Sequence, residues 1–432
     1  MRKVKLLLLA TAIIGQAGLL KAQELPLPNT PAEEVGLSTS RLANIEKLFN
    51  QYIDNQWIPG GVVLVARHGK VAYLESFGHS DLEKKTPYTA DDIFRIASMT
   101  KPATTVAVLM LYEQGLFNLD DPISKYIPAF DSVRVLSEFS EKDSSYAAVP
   151  ANQAITIRHL LTHTSGISYD FMSPQIKAIY YKNGANGFGL SHKTATTGEM
   201  AAKFAEQPLL HHPGENWTYG HNTDILGYFV EVVSGQTLGE YLEEHVFEPL
   251  GMNDTYFYLP KEKFDRLVPI YSDWGRGSLS RVMGKDTTSY PTYGRKDYFA
   301  GGGGLSSTVK DYFIFSQMLL NKGEYNGVRI LSRKTIDLLI SDQLERMGIT
   351  PWSLLGKEGF TFGLGVSVRT AKNQRHSHGS VGTFRWGGIF NTKFWIDPQE
   401  DMVMVAMAQI LPLRHPDIWQ KLNTIIYSSI ID

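Results

Sequence analysis

Leu42, Ile45, Leu48, Phe49 and Tyr52 recur at three- and four-residue intervals. That spacing lines one face of an α-helix, and Ser38 or Thr39 can cap its start. Two runs rich in β-branched and aromatic residues follow, Gly61 to Arg67 and Val71 to Phe77, joined by His68-Gly69-Lys70. Such runs across a short glycine turn predict an antiparallel hairpin. From about Thr100 to Leu250 the apolar spacing is helical, punctuated by Gly115, Gly166, Gly214 and Gly235. Strand-like runs return at Phe384 to Ile389, Lys393 to Ile396 and Met402 to Met407, and a helix from about Pro416 to Ile430 follows. Strand-forming sequence near both ends predicts an α+β fold: one antiparallel sheet from both chain ends, flanked by helices, with an inserted helical lobe. The expected sheet lobe takes residues 37–95 and 300–432, and the helical lobe 96–299. No repeat of fixed period is present, which disfavours solenoids and propellers. The Gly- and Ser-rich piece from Trp274 to Gly304 lacks periodicity, and its length suits either a pocket wall or a surface loop.

The N-terminus carries a different pattern. Arg2, Lys3 and Lys5 precede an apolar stretch from Leu6 to Leu20, broken by Gln16 and ending near the small residue Ala22. This predicts a secretory signal peptide over residues 1–22 and a mature chain 23–432 that is periplasmic or extracellular. The stretch is shorter than the roughly 20 residues that span a bilayer, so no stable membrane insertion is expected after cleavage. Of the 432 residues, 42 are Lys or Arg and 44 are Asp or Glu; the net charge of -2 offers no basic surface, and nucleic acid is not an expected partner. The absence of cysteine removes disulfides, thiolate nucleophiles and thiolate metal sites together.

Candidate chemistry begins at Phe94-Arg95-Ile96-Ala97-Ser98-Met99-Thr100-Lys101-Pro102. Ser98 and Lys101 are three apart, so on a helix they project from one face and the amine can reach the hydroxyl. Pro102 is tolerated only in the first helical turn, which puts Ser98 at the helix mouth. Its amide N–H is then free of the helical ladder, at the positive end of the helix dipole, where a tetrahedral oxyanion needs a donor. Ser-x-x-Lys occurs twice; the other copy, Ser307 to Lys310, follows Gly301-Gly302-Gly303-Gly304, and there Ser307 is expected to be an N-cap.

The segment around Ser98 resembles the active-site helix of the serine β-lactamase and penicillin-binding-protein superfamily, in particular class C β-lactamase-like hydrolases and esterases. The resemblance continues through Leu119-Asp120-Asp121-Pro122-Ile123, His159-Leu160-Leu161-Thr162-His163-Thr164-Ser165-Gly166, Pro249-Leu250-Gly251-Met252 and the tetraglycine run. It implies a covalent acyl-enzyme on Ser98, with Lys101 taking part in proton transfer. It also implies a tyrosine within Tyr-x-Asn; the matching context gives Tyr219, with His221 in the asparagine's place as a substrate contact. A literal Tyr181-Lys182-Asn183 has flanks that do not fit. The family's Lys-Thr-Gly strand has no counterpart as a tripeptide; Phe384-Arg385-Trp386-Gly387-Gly388-Ile389 resembles the Trp-Gly-Gly of esterase members. The resemblance assigns substrate contacts to Trp386, Gly387 and Gly388 and the second oxyanion donor to the Ile389 amide.

Losing the lysine of Lys-Thr-Gly removes one charge-assisted contact to a substrate carboxylate unless Arg375, Arg385 or a histidine replaces it. Small neutral esters are therefore the expected substrates, ahead of β-lactams or D-amino-acid peptides. No cofactor or metal is called for. Three rivals are weaker. A Ser165–His163 hydrolase lacks a Gly-x-Ser-x-Gly elbow, and His163 better suits a helix end. A metal site on His211, His212 and His221, or on His376 and His378, lacks ligand spacing. A penicillin-recognising protein without turnover is disfavoured by the intact Ser98, Lys101 and Tyr219. The sequence leaves the oligomeric state and the physiological acyl donor open.

Overall fold

The computed structural model describes residues 30–432 except 186–189, 191–194, 274–276, 284–289, 293–295, 350–358 and 374–377. The segment 1–22 expected to be a signal peptide, Arg375, His376 and part of the 274–304 piece lie outside the described residues. Helix α1 (Asn44–Asp54) precedes strands β1 (Gly60–Arg67), β2 (Lys70–Asp81) and β3 (Thr86–Pro87). Helices α2 (Thr100–Glu113), α3 (Asn222–Ser234) and α4 (Val309–Leu320) follow in the middle of the chain. Strands β4 (Phe360–Phe362), β5 (Ser367–Arg369), β6 (Phe384–Gly388), β7 (Thr392–Asp397) and β8 (Met402–Met407) return before helix α5 (Asp417–Ser428).

These strands form one eight-stranded sheet in the order β4-β5-β6-β7-β8-β1-β2-β3, antiparallel throughout. The two chain ends meet where β1 pairs with β8, with Leu64 opposite Val405. Side chains alternate across a strand, and both faces of this sheet are covered. Val62, Leu64, Phe394, Val403 and Val405 join the large core with Val106 of α2 and Phe315 of α4. Val63, Val65, Trp395 and Met404 face the other way, against Leu48 and Phe49 of α1 and Ile418, Leu422 and Ile426 of α5. Double coverage explains why β1 and β8 are near-continuous apolar runs rather than alternating ones.

Two sequence expectations need correction, and two short strands carry no sequence signal. The helical stretch contains a hairpin, Arg134–Phe139 with Tyr146–Pro150, whose residues are mostly exposed and so carry no apolar alternation. Strands β4 and β5 are only three residues long, too short to show a period. Ser307 is not the cap of α4: Thr308 caps it by accepting from the Asp311 amide, while Ser307 pairs with Phe94 in a short ladder and hydrogen-bonds Thr255.

That short ladder positions the nucleophile segment. Phe94–Arg95 pairs with Ser306–Ser307, and the backbone of Arg95 is held on its other side by the Gln409 amide, 3.2 Å to its N–H and 3.1 Å to its carbonyl. The Arg95 guanidinium is fully buried and donates to the carbonyls of Val268 and Tyr290. The chain therefore enters the turn before α2 from a backbone fixed on both edges.

Leu64 lies at 0% exposure between β2 and β8, so Leu64→Ala leaves a cavity that rigid neighbours cannot fill. Denaturant unfolding should show a loss of about 2–5 kcal/mol. Leu116→Ala, at a residue 47% exposed, should change stability by less than about 0.5 kcal/mol.

Candidate active site

Ala97–Met99 forms a single 3-10 turn that leads into α2 at Thr100. Pro102 sits in the first turn of α2, where its missing N–H costs nothing. Ser98 is partly exposed at the helix mouth, and Lys101 one turn on is fully buried. The Lys101 amine donates to the Gly302 carbonyl at 2.6 Å and lies 3.2 Å from Ser98 Oγ. Its third contact is the Tyr169 hydroxyl at 3.1 Å. No carboxylate among the described residues pairs with it, so three neutral oxygens and two aromatic rings, Tyr219 at 4.7 Å and Tyr169 at 5.4 Å, surround the amine.

Tyr219 donates to Ser98 Oγ at 2.8 Å. Its loop is tied to the 163–169 segment: Thr218 N–H donates to His163 O, and Tyr169 N–H to Tyr219 O. Asn222 completes this tie, with its amide 2.9 Å from His163 Nδ1 and its carbonyl accepting from Ser165 Oγ. Burial, and Lys101 after it, hold the His163 imidazole well below its ordinary value, so it packs as a neutral ring 4.9 Å from Tyr219. Burial likewise raises Tyr169 well above the ordinary phenol range, which keeps it an uncharged neighbour of Lys101. The Tyr181 alternative is 58% exposed on a separate helix.

His221 does not face substrate space. It is fully buried, stacked 4.0 Å from Phe204, and its Nδ1 lies 3.0 Å from Asp224. The sequence expectation of a substrate contact there is corrected, because α3 begins one residue later and turns the ring inward. Asp224 in turn accepts from the Gly302 N–H at 2.9 Å, and the Gly302 carbonyl is the one that receives Lys101. The tetraglycine run therefore carries an electrostatic strut from α3 to the lysine.

Opposite Ser98 lies the end of β6. A Cβ at Gly388 would come within 2.2 Å of Ile96 O and 2.4 Å of Thr392 Oγ1, so only glycine allows the strand to close on the nucleophile segment. Ser98, Tyr169, Tyr219, Trp386, Gly388 and Ile389 line one cavity of about 920 Å³. The Ser98 and Ile389 N–H groups have no partner among the described residues. The structure thus gathers Ser98, Lys101, Tyr219, Trp386, Gly387, Gly388 and Ile389 around one space.

Sequence reasoning missed Tyr169, Asp224 and Lys393. Tyr169 and Asp224 act through contacts from distant segments, for which local spacing carries no signal. Lys393 lies across from Gly387 on β7 and lines the cavity; it looks like an ordinary strand-face lysine in sequence. The histidine alternatives are used otherwise: His211 bonds Thr218 Oγ1 at 2.8 Å. Among the described residues no three His, Asp or Glu side chains cluster for a metal.

The family pattern described as Beta-lactamase matches residues 45–422. The chain is 28% identical over 380 residues to esterase EstB of Burkholderia gladioli, covering 83% of this chain and 88% of that one. It is 28% identical over 410 residues to a monacolin J acid methylbutanoyltransferase of Aspergillus terreus, covering 89% and 95%. Its fold is similar to that of EstCE1, described as a hydrolase with promiscuous acyltransferase activity, at a TM-score of 0.75, 26% identity and coverage of 90% and 99%. A family match across most of the chain, together with relatives that are esterases and acyltransferases built on the same sheet, makes this protein a member of the Beta-lactamase family and a serine hydrolase.

Proposed function

We propose that this protein is an exported esterase that cleaves small esters through a covalent acyl-enzyme on Ser98. The observation that carries the reading is that Ser98 Oγ has two proton-handling neighbours, Tyr219 at 2.8 Å and Lys101 at 3.2 Å, in the lining of one cavity. A serine hydroxyl is a poor nucleophile unless a neighbour takes its proton. The Ser98 oxygen attacks the ester carbon while its proton passes to the Lys101–Tyr219 pair. Charge on the carbonyl oxygen is met by the Ser98 and Ile389 N–H groups, donors set in place before the reaction. Tyr219 then returns the proton to the departing alcohol oxygen, and water releases the acyl group by the same steps in reverse. Tyr169 and the Gly302 carbonyl hold the amine on Ser98 throughout.

The wall beside Ser98 is made of Tyr169, Phe171, Leu190 and Tyr219, which supports an uncharged acyl group. Neither His221 nor Asn222 offers a side-chain amide to the cavity, which supports esters over β-lactams. Export rests on the pattern from Arg2 to Ala22.

Ser98→Ala should lower kcat/KM for 4-nitrophenyl acetate by at least about 10⁴-fold with an unchanged thermal unfolding curve. Retained activity refutes the assignment, and stoichiometric acylation without turnover makes the protein a binder instead. Gly388→Ala should cost roughly 10²–10³-fold in kcat, because the added methyl meets the fixed Ile96 carbonyl and displaces the Ile389 donor. A secreted preparation should start at Gln23 on N-terminal sequencing; an intact Met1 in it contradicts the signal peptide.

A further inference from the structure

Among the described residues strand β6 pairs with β5 at Phe384 and Arg385, and from Trp386 to Gly388 its outer edge has no strand partner. One cavity is lined by residues from both faces of the sheet at this edge. Its lining runs from Ser98 and Tyr219 past Gly387 to Arg385 and Lys393, and on to Trp419 and Tyr427 of α5. Arg385, Gly387 and Lys393 share the sheet face turned toward α5, as strand alternation and the Gly387–Lys393 pairing require. A Cβ at Gly387 would lie 2.8 Å from Lys393 Cδ and 2.9 Å from Lys393 Nζ. The amine therefore reaches this edge because residue 387 has no side chain.

Among the described residues these two cations lack an anion. Neither Lys393 nor Arg385 has a carboxylate or hydrogen-bond partner among the described residues, and the Arg385 guanidinium instead stacks 4.0 Å over the Phe360 ring. The acids nearby are committed elsewhere. Asp417 accepts from Tyr52 at 2.6 Å and pairs with Lys421 at 2.8 Å, while Asp397 accepts from the Ser380 amide, Thr383 and Tyr427. Burial lowers Lys393 to about 8 and Arg385 to about 10, with a neighbouring arginine adding to each shift. Partly buried like charges without a counterion are unfavourable, and an anionic ligand group relieves them.

We propose that the groove across Gly387 is a binding subsite for a carboxylate carried on the alcohol side of the ester, received by Lys393 with Arg385 behind it. The alcohol side follows from Tyr219: this phenol returns the proton to the leaving oxygen, and its ring lies 5.6 Å from that of Trp386, the residue before Gly387. The subsite rests on the ester-hydrolase reading and refines it. The acyl group is uncharged, and the leaving alcohol is a hydroxy acid. No new covalent step is involved.

The test uses two esters of equal shape, 3-(acetoxymethyl)benzoate and 3-(acetoxymethyl)benzamide, and compares their kcat/KM within each protein so that any loss of folded enzyme cancels. The wild-type chain should prefer the carboxylate by about tenfold or more, the scale of one charge-assisted hydrogen bond. In Lys393→Met the ratio should fall to about one, and in Arg385→Gln severalfold, mainly through KM. A wild-type ratio near one, or a preference that survives Lys393→Met, overturns the subsite while hydrolysis itself continues. Loss of the parent reading looks different: neither ester nor 4-nitrophenyl acetate is turned over by the wild type, and both proposals fall together.

Discussion

A buried lysine amine that no carboxylate pairs with among the described residues is the constraint around which the site is built. Lys101 is fully enclosed, and its hydrogen-bond partners are the Gly302 carbonyl, the Ser98 hydroxyl and the Tyr169 phenol. A paired carboxylate would compete with the serine hydroxyl for the amine. Neutral oxygens instead leave it engaged with the serine hydroxyl, at the cost of a buried polar group that every neighbour must satisfy. The surroundings of Lys101 show how that cost is met. Asp224 makes no hydrogen bond to the lysine; it accepts from the N–H of Gly302, and the carbonyl on the far side of the same α-carbon receives the amine.

The same economy of contact shapes the strand edge. Gly388 permits β6 to approach Ile96 within the reach of a missing methyl group, and Thr392 donates to that same carbonyl at 3.2 Å. Both walls of the reacting space, the helix mouth and the strand end, are thus locked to one peptide carbonyl that takes no part in the chemistry. Relatives described as an esterase and an acyltransferase match this chain over most of its length, and the fold alone does not set the substrate. In this chain the cavity carries Tyr169, Phe171 and Tyr219 beside Ser98, and Arg385 and Lys393 together with Trp419 and Tyr427 toward α5.

Much of the fold was legible from pattern alone. The β1–β2 hairpin, the three C-terminal strands and α5 all announce themselves by continuous apolar runs or helical spacing, because each buries its residues against a core. The hairpin at 134–150 escaped because it is largely solvated, and β4 and β5 because three residues cannot display a period.

The sequence by itself determined the local half of the site. Ser98 and Lys101 sit one helical turn apart, and Pro102 pins that turn to the helix start, so their meeting needs no information from elsewhere. Tertiary structure decided everything that reaches the pair from a distance. Tyr169 arrives from 68 residues away and Gly302 from 201, His221 is turned inward against Phe204, and Lys393 is set beside Gly387 by strand register. A spacing rule acts only within one element; which side chains converge across elements is set by packing and sheet register, and those exist only once the chain has folded.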